Sequence, residues 1–214
     1  MKHIPNLFTL GNLFCGCMAI VFTLQSNWDF GGDSSNIQSA STFVLASFWL
    51  FVAAVIDFLD GFVARLMKAT SELGAQLDSL SDVVSFGVAP SLIMYKLLQS
   101  SCLSQNGAMN VSLIMLIPAF FLALTAAWRL AVFNLDKSQA YTFRGVPTPI
   151  TAMVVAAFPL ILWYDDQLLN SWMMKPWFLY LVIVILGVMM VSSIPMMSLK
   201  VKEKKASAYL PQII

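Results

Sequence analysis

Six apolar runs divide this chain, and hydropathy gives each a length of about 17 to 24 residues. A hydrocarbon core about 30 Å thick is crossed by roughly 20 apolar residues in a helix. Backbone groups inside a membrane must satisfy one another, and a helix does this within one segment. The sequence therefore predicts an all-α integral membrane protein with six transmembrane helices, at about residues 8–25, 42–65, 83–99, 111–133, 148–164 and 177–199.

Composition argues against a single soluble core. Hydrophobic residues make up 59% of the chain and charged residues 11%, whereas soluble domains average about 45–50% and about 25%. The net charge of +1 gives no reason to expect nucleic-acid binding. No linker or repeat interrupts the chain, so we expect a single transmembrane domain over 1–214, with a short amino-terminal segment, 1–7, and a basic tail, 200–214.

The distribution of basic residues predicts the orientation in the membrane. With the amino terminus inside, only Lys96 and Lys175 fall in outer segments, which leaves ten of the twelve Lys and Arg residues inside. This bias is the positive-inside pattern, and the basic tail adds attraction to anionic membrane lipids. We therefore expect both termini to face the cytoplasm, in a plasma or inner membrane.

Four aspartates at the ends of the second and third runs depart from the apolar pattern. Asp57 and Asp60 lie near the end of the second span, and Asp78 and Asp82 lie at the head of the third. Residues three or four apart share a helix face, and the predicted topology places both pairs on the cytoplasmic side. A loop of residues 66–77 would bring the two helix ends together, so we expect four carboxylates to converge.

Converging carboxylates require positive charge, and ionisable groups within a span are functional candidates by default. Oxygen ligands favour hard cations, so Mg²⁺ or Mn²⁺ is expected, Ca²⁺ is an alternative and zinc is disfavoured. Four carboxylates can hold two ions about 3.5–4 Å apart, an arrangement suited to phosphoryl-type displacement. Gly61 and Ala64 leave a hollow beside the acids for a flat ligand, although close helix packing also explains small residues.

Other interpretations of the aspartates do not involve catalysis. Helix capping explains Asp78 and Asp82, but the helix dipole disfavours Asp57 and Asp60 near a carboxyl-terminal end. A cation transporter also carries acids within the membrane, yet these acids cluster on one side instead of lining a path across it. A purely structural membrane scaffold is the least favoured alternative.

The segment from residue 57 to residue 82 resembles the signature of the CDP-alcohol phosphotransferase family. Its spacing is D-x2-D-G-x2-A-R-x8-G-x3-D-x3-D, and all eight fixed positions match. The resemblance implies a six-helix membrane transferase, usually a homodimer, that displaces CMP from a CDP-linked lipid or alcohol with two divalent ions. The matching residues are Asp57, Asp60, Gly61, Ala64, Arg65, Gly74, Asp78 and Asp82.

The resemblance also implies roles for these residues. Asp57, Asp60 and Asp78 would bind one metal ion, and Asp57, Asp78 and Asp82 would contribute to the second. Asp82 would also be the base that accepts the proton of the incoming hydroxyl. The residues that would bind CDP are Asp60, Gly61, Ala64 and Arg65.

Three further segments resemble the branch of this family that joins CDP-diacylglycerol to L-serine. They are IPNLFTLGNLFCG at 4–16, SFGVAPS at 85–91 and FRGVPTP at 143–149. Members that use glycerol phosphate share a similar Pro-Asn-x-Leu-Thr-like start of the first segment but usually carry an arginine soon after that start, where this chain has Gly11 and Asn12. A sister activity with inositol phosphate, glycerol phosphate or another alcohol is the alternative.

The acceptor pocket has two cationic candidates. Arg129 and Arg144 would bind the serine carboxylate or the lipid phosphate, because a guanidinium fork suits either anion. The positive-inside pattern explains each arginine equally well. Asn12, Ser81 and Ser85 are weaker candidates, since hydrogen bonding between helices accounts for them at least as well.

Overall fold

The computed structural model describes residues 4–26, 37–66, 72–106, 111–135, 145–164 and 172–192. All regular secondary structure in these ranges is helical. A π-helix, Val83–Val88, joins α3 to α4, and a 3-10 helix, Ile117–Phe120, joins α5 to α6. The α-helices are α1 (Ile4–Gln25), α2 (Ile37–Leu66), α3 (Glu72–Asp82), α4 (Ala89–Asn106), α5 (Leu113–Leu116), α6 (Phe121–Leu135), α7 (Thr148–Tyr164) and α8 (Pro176–Val191).

The apolar helices confirm an integral membrane architecture. Each of the six predicted spans contains a helix, and two of them, α7 and α8, are shorter apolar helices. Within the described residues, four helical segments are long and apolar enough to cross a membrane. They are Asn6–Gln25, Ser41–Val63, Leu73–Ser104 and Leu113–Leu135.

Both predicted boundaries of the third span are wrong, because this helical segment begins earlier than predicted and ends at Asn106 and not near residue 99. The third helical segment begins at Glu72 and not near residue 83, because the polar sequence ELGAQLDSLSD forms α3 and continues through the π-helix. The predicted loop 66–77 is correspondingly too long. Helix α8 ends at Val191, since the backbone of Ser192 has left the helical region (φ −59°, ψ 141°), and residues 193–199 of the predicted last span lie outside the described ranges. Residues 1–3 and the basic tail lie outside the described ranges.

Helix α1 lies against both halves of the aspartate segment. It packs along α2 and against α3 and the π-helix. A Cβ added to Gly16 would lie 2.7 Å from Ser85 Cα, so glycine allows the two backbones to approach closely. The hydroxyl of Ser81 donates to the Thr9 carbonyl and that of Ser85 to the Asn12 carbonyl, both at 3.1 Å. These contacts fix α1 beside the helix that carries two of the aspartates.

A second packed region surrounds α4. Its buried Ile93 and Leu97 belong to one hydrophobic cluster with Leu122 of α6, Val155 of α7 and Ile183 of α8. Because these side chains are all less than 2% exposed, they fix the three helices relative to α4. The cluster thereby holds α6 and the start of α7 next to the aspartates.

We expect Gly16→Ala to destabilise the fold, because its new methyl group would also meet Ser85 Oγ at 2.3 Å. Overpacking of this kind costs about 1–3 kcal/mol, which corresponds to roughly 2–10 °C in a protein of this size. Gly11→Ala is the matched control on the same helix, since its nearest atom, Ile56 Cγ2, is 3.7 Å away. Thermal unfolding in detergent measures both, and equal melting temperatures would contradict the close contact.

Candidate active site

The carboxylates of Asp57, Asp78 and Asp82 form the centre of the candidate site. Each residue offers one oxygen, and these oxygens all lie within 4.8 Å of one another. Asp57 comes from α2 and is half-buried, whereas Asp78 and Asp82 share one face of α3, with Asp82 only 8% exposed. The structure thus brings the two halves of the motif together, as their spacing predicts.

This cluster calls for positive charge. At such separations two ionised carboxylates repel each other by about 3–4 kcal/mol at an effective dielectric constant of about 20. Carboxylate oxygens are the ligands that hard divalent cations prefer. The geometry and the donor set therefore fit a divalent metal ion, held by the three residues of this group.

Asp60 lies outside this group of three. It is buried, and its Oδ2 accepts a hydrogen bond from the Thr9 hydroxyl of α1. Three residues along a helix correspond to a turn of about 60° away from Asp57, which directs Asp60 toward α1. Its charge still acts on Asp57 and Asp78. Three of the four carboxylates that were expected to converge therefore do so, and the fourth, Asp60, lies beside them and points toward α1.

Asn12 makes the second contact between α1 and the acids. Its side-chain Nδ2 donates to Asp82 Oδ1 at 3.3 Å. The Asn12 side chain is fully buried, and its Oδ1 has no hydrogen-bond partner within the described residues. Thr9 and Asn12 stand out in the sequence as polar residues within an apolar run. Their hydrogen-bond partners are 51 and 70 residues away, so the sequence does not identify these partners.

A cavity of about 400 Å³ lies beside the aspartates, a size typical of small-molecule sites. One part of its wall is acidic, one part is apolar, and Arg129 contributes a cation. Gly61 also lines the cavity, as expected for a residue that leaves room for a ligand. The lining residues are Asp57, Phe58, Gly61, Ala75, Asp78, Ser79, Asp82, Arg129, Leu130, Phe133, Asn134, Pro147, Thr148 and Pro149.

Arg129 is half-buried on α6 and faces the same cavity. Its Nε is buried and has no hydrogen-bond partner among the residues that the structure describes. Asp82 interacts with it electrostatically. A buried donor of this kind calls for a ligand or a water molecule. Arg144 and the side chains of Ala64 and Arg65 lie outside the described part of the chain.

The cavity has a rim that begins with a tight turn before α7. Gly145 has a φ of 74°, and a Cβ there would lie 2.5 Å from the Met190 carbonyl oxygen, so glycine is required. The Val146 N–H donates to the Met189 carbonyl at 3.1 Å. The end of α8 thereby fixes the loop that places Pro147 at the cavity. The predicted start of the fifth span at about residue 148 is confirmed, since α7 begins at Thr148.

Ser79 and Asn134 form a pair at the cavity that the motif does not reveal. Asn134 Nδ2 donates to Ser79 Oγ at 2.9 Å, and the Ser79 hydroxyl lies 3.2 Å from Asn134 Oδ1. The pair joins α3 to α6. In the sequence, the one indication of this pair is that Ser79 follows Asp78. A contact between two helices that are far apart in the chain produces no local sequence pattern.

Fold and site together define an integral membrane protein that presents a carboxylate cluster to a ligand-sized cavity. Residues 2–192 match the CDP-alcohol phosphatidyltransferase family. The chain belongs to this family, as its aspartate motif indicates. Membership in a transferase family also argues against the transporter and scaffold alternatives.

Several relatives share one name, CDP-diacylglycerol–serine O-phosphatidyltransferase. The chain is 37% identical over 195 residues to the protein of Helicobacter pylori, an alignment covering 89% of this chain and 70% of the relative. It is 33% identical over 153 residues to that of Bacillus subtilis, covering 72% and 73%. It is 34% identical over 145 residues to that of Methanocaldococcus jannaschii, covering 68% and 60%.

Proposed function

We propose that the protein transfers the phosphatidyl group of CDP-diacylglycerol to the hydroxyl of L-serine and releases CMP. Family membership and the names of the relatives support the reaction. The observation that carries the proposal is the convergence of Asp57, Asp78 and Asp82 on one cavity that also contains Arg129. The product is phosphatidylserine.

The four motif aspartates are the proposed ligands of two divalent ions, Mg²⁺ or Mn²⁺. The group formed by Asp57, Asp78 and Asp82 coincides with the set that the resemblance assigns to the second ion. Asp60 would join Asp57 and Asp78 at the first. Such ions supply charge neutralisation for the phosphate oxygens and the departing CMP.

Asp82 is the proposed base. The hydroxyl of serine must lose its proton as its oxygen bonds to phosphorus and the bond to CMP breaks. Asp82 is buried at the cavity wall, so its carboxylate is shielded from bulk water while it accepts that proton. A direct displacement balances with one proton transferred to Asp82 and CMP as the leaving group.

The remaining part of the site is assigned by position and by charge. Gly61 lines the cavity and is proposed to border the cytidine, together with Ala64 and Arg65 from the same helix end. Arg129 is proposed to bind the serine carboxylate or the lipid phosphate, because its buried Nε lacks a protein partner among the described residues. Arg144 stays a prediction from the sequence.

The environment of the site is a further part of the proposal. The positive-inside distribution of Lys and Arg supports an active site and termini on the cytoplasmic side. A single catalytic domain and a homodimer are what the family resemblance implies. Both remain predictions.

The acceptor is tested by incubating purified protein with CDP-diacylglycerol, Mn²⁺ or Mg²⁺ and one alcohol at a time. We expect CMP release and phosphatidylserine formation with L-serine, measured by chromatography and lipid mass spectrometry. Glycerol phosphate and inositol phosphate are the comparison acceptors. CMP release with either of them but not with serine would overturn the acceptor assignment and leave the family reaction intact.

A further inference from the structure

Helix α1 contacts two of the four motif aspartates through side chains three residues apart. Thr9 donates its hydroxyl hydrogen to Asp60, and Asn12 donates an amide hydrogen to Asp82. Residues with this spacing lie on one helix face, so α1 presents one polar edge to the acidic site. Both side chains are buried, at 2% and 0% exposure.

The backbone of α1 is fixed at the same positions. Ser81 and Ser85, which lie on either side of Asp82 in sequence, donate to the carbonyls of Thr9 and Asn12. Asn12 is therefore tied to the helix that carries Asp82 through its carbonyl and through its side chain. Two anchors on one residue restrict where its amide can point.

A buried aspartate needs a donor of this kind to hold one orientation. The χ2 torsion of aspartate is broad and roughly two-fold, so packing alone does not determine which oxygen faces a ligand. Asp82 also has a side-chain hydrogen bond with Asp57, which exists only while one of the two carboxyl groups carries a proton; two ionised carboxylates donate no hydrogen bond to each other. Asn12 supplies a neutral donor to Asp82 Oδ1 and leaves the second oxygen free of that bond.

The orientation of the Asn12 amide follows from the same contact. The reversed amide would place its Oδ1 against an oxygen of Asp82, which would set acceptor against acceptor. The observed orientation instead leaves Oδ1 as a buried acceptor without a partner in the described part of the chain. The bond to Asp82 is thus the interaction that fixes this side chain.

We propose that Asn12 is a positioning residue: it holds one oxygen of Asp82 and so directs the other toward the divalent ion and the acceptor hydroxyl. The functional part of this inference rests on the proposed role of Asp82. Residues that hydrogen-bond metal-binding carboxylates commonly change metal affinity or activity by about 10–100-fold when replaced. Asn12 acts through Asp82 and makes no contact with substrate in this assignment.

Two substitutions of nearly equal size test this role. Asn12→Leu removes the donor and leaves an apolar side chain, and Asn12→Asp replaces the amide with a carboxylate. Each should lower kcat by about 10–100-fold with KM for CDP-diacylglycerol within about twofold of wild type. Asn12→Leu should also raise the Mn²⁺ concentration that gives half-maximal thermal stabilisation. Thr23→Val is the control, since Thr23 is buried on the same helix and, among the described residues, its hydroxyl donates only to the Ala19 carbonyl.

Exchanging the two side chains tests whether the hydrogen-bonded pair stabilises the fold regardless of which residue carries the carboxylate. The double variant Asn12→Asp with Asp82→Asn restores a carboxylate–amide pair with its ends reversed. Its melting temperature should return toward wild type, whereas its kcat should stay low because the carboxylate has moved to α1. Recovery of kcat along with stability would overturn the proposal.

The single variants at Asn12 can also refute the proposed positioning role. A folded Asn12→Leu protein with more than half the wild-type kcat and an unchanged Mn²⁺ midpoint would refute it, and so would a folded Asn12→Asp protein with more than half the wild-type kcat. If Asn12→Leu does not fold, the Asn12→Asp protein decides the same question. The Mn²⁺ midpoint requires no turnover, so it tests Asn12 even if wild-type protein releases no CMP with serine.

Discussion

Replacing Asp82 with asparagine should lower the rate of serine-dependent CMP release by about 10³-fold or more. A general base contributes about 10²–10⁴-fold, and this change also removes one charged ligand from the carboxylate cluster. Initial rates with purified protein in detergent micelles measure the loss. Asp165→Asn is the matched control, because it makes the same chemical change between the fifth and sixth predicted spans, and it should keep wild-type turnover.

The two roles proposed for Asp82 can be separated with a second acceptor. A serine analogue whose hydroxyl is made more acidic by neighbouring fluorine atoms depends less on a base. If Asp82 accepts the proton, the Asp82→Asn variant should lose less activity with this analogue than with serine. An equal loss would assign Asp82 to metal binding alone. A variant that keeps more than a tenth of the wild-type rate with serine would contradict both roles.

Hydropathy and residue spacing predict much of this molecule. The apolar runs correspond to helices because the membrane permits few other ways to satisfy the backbone. The spacing of Asp78 and Asp82 puts them on one face of α3, where both lie close to Asp57 of α2. These features depend on local periodicity and on chain direction, which a sequence contains explicitly.

The rest of the site depends on contacts that local patterns do not encode. Helix α3 is too polar to be detected by hydropathy, yet it is held by α1 and continues into the apolar α4. The direction of Asp60 is determined by Thr9, a residue 51 positions away. The separation of Asp60 from the other three aspartates therefore follows from buried polar contacts between helices, and only the three-dimensional structure reveals these contacts.

Removing divalent ions should abolish turnover and lower the melting temperature of the wild-type protein. Excess EDTA should reduce CMP release to below about 1% of its initial rate, and Mg²⁺ or Mn²⁺ should restore it. An ion present at about 100 times its dissociation constant stabilises the folded state by about 2.7 kcal/mol, or roughly 5–10 °C for a chain of this length. Activity assays and thermal unfolding in detergent report the two effects independently.

The effect of Asp78→Asn on the melting temperature should have opposite signs in the absence and in the presence of Mn²⁺. Without ions, Asp57, Asp78 and Asp82 repel one another, so removal of one charge should raise the melting temperature of the ion-free protein. With Mn²⁺ present the same variant lacks a ligand and should melt below wild type. The curves of melting temperature against Mn²⁺ concentration for the two proteins are therefore expected to cross.

If the two melting curves cross, the aspartates bind a metal ion. An acidic cluster that binds no cation would give curves that do not cross. If the carboxylates had a purely structural role, Asp78→Asn would shift both curves in the same direction, and Mn²⁺ would leave the wild-type melting temperature unchanged. Asp165→Asn should follow the wild-type curve at every Mn²⁺ concentration, which controls for the general effect of removing one negative charge. Turnover that is insensitive to chelators, together with parallel melting curves, would exclude the proposed metal mechanism. The three carboxylate oxygens within 4.8 Å of one another would then be stable without a bound cation.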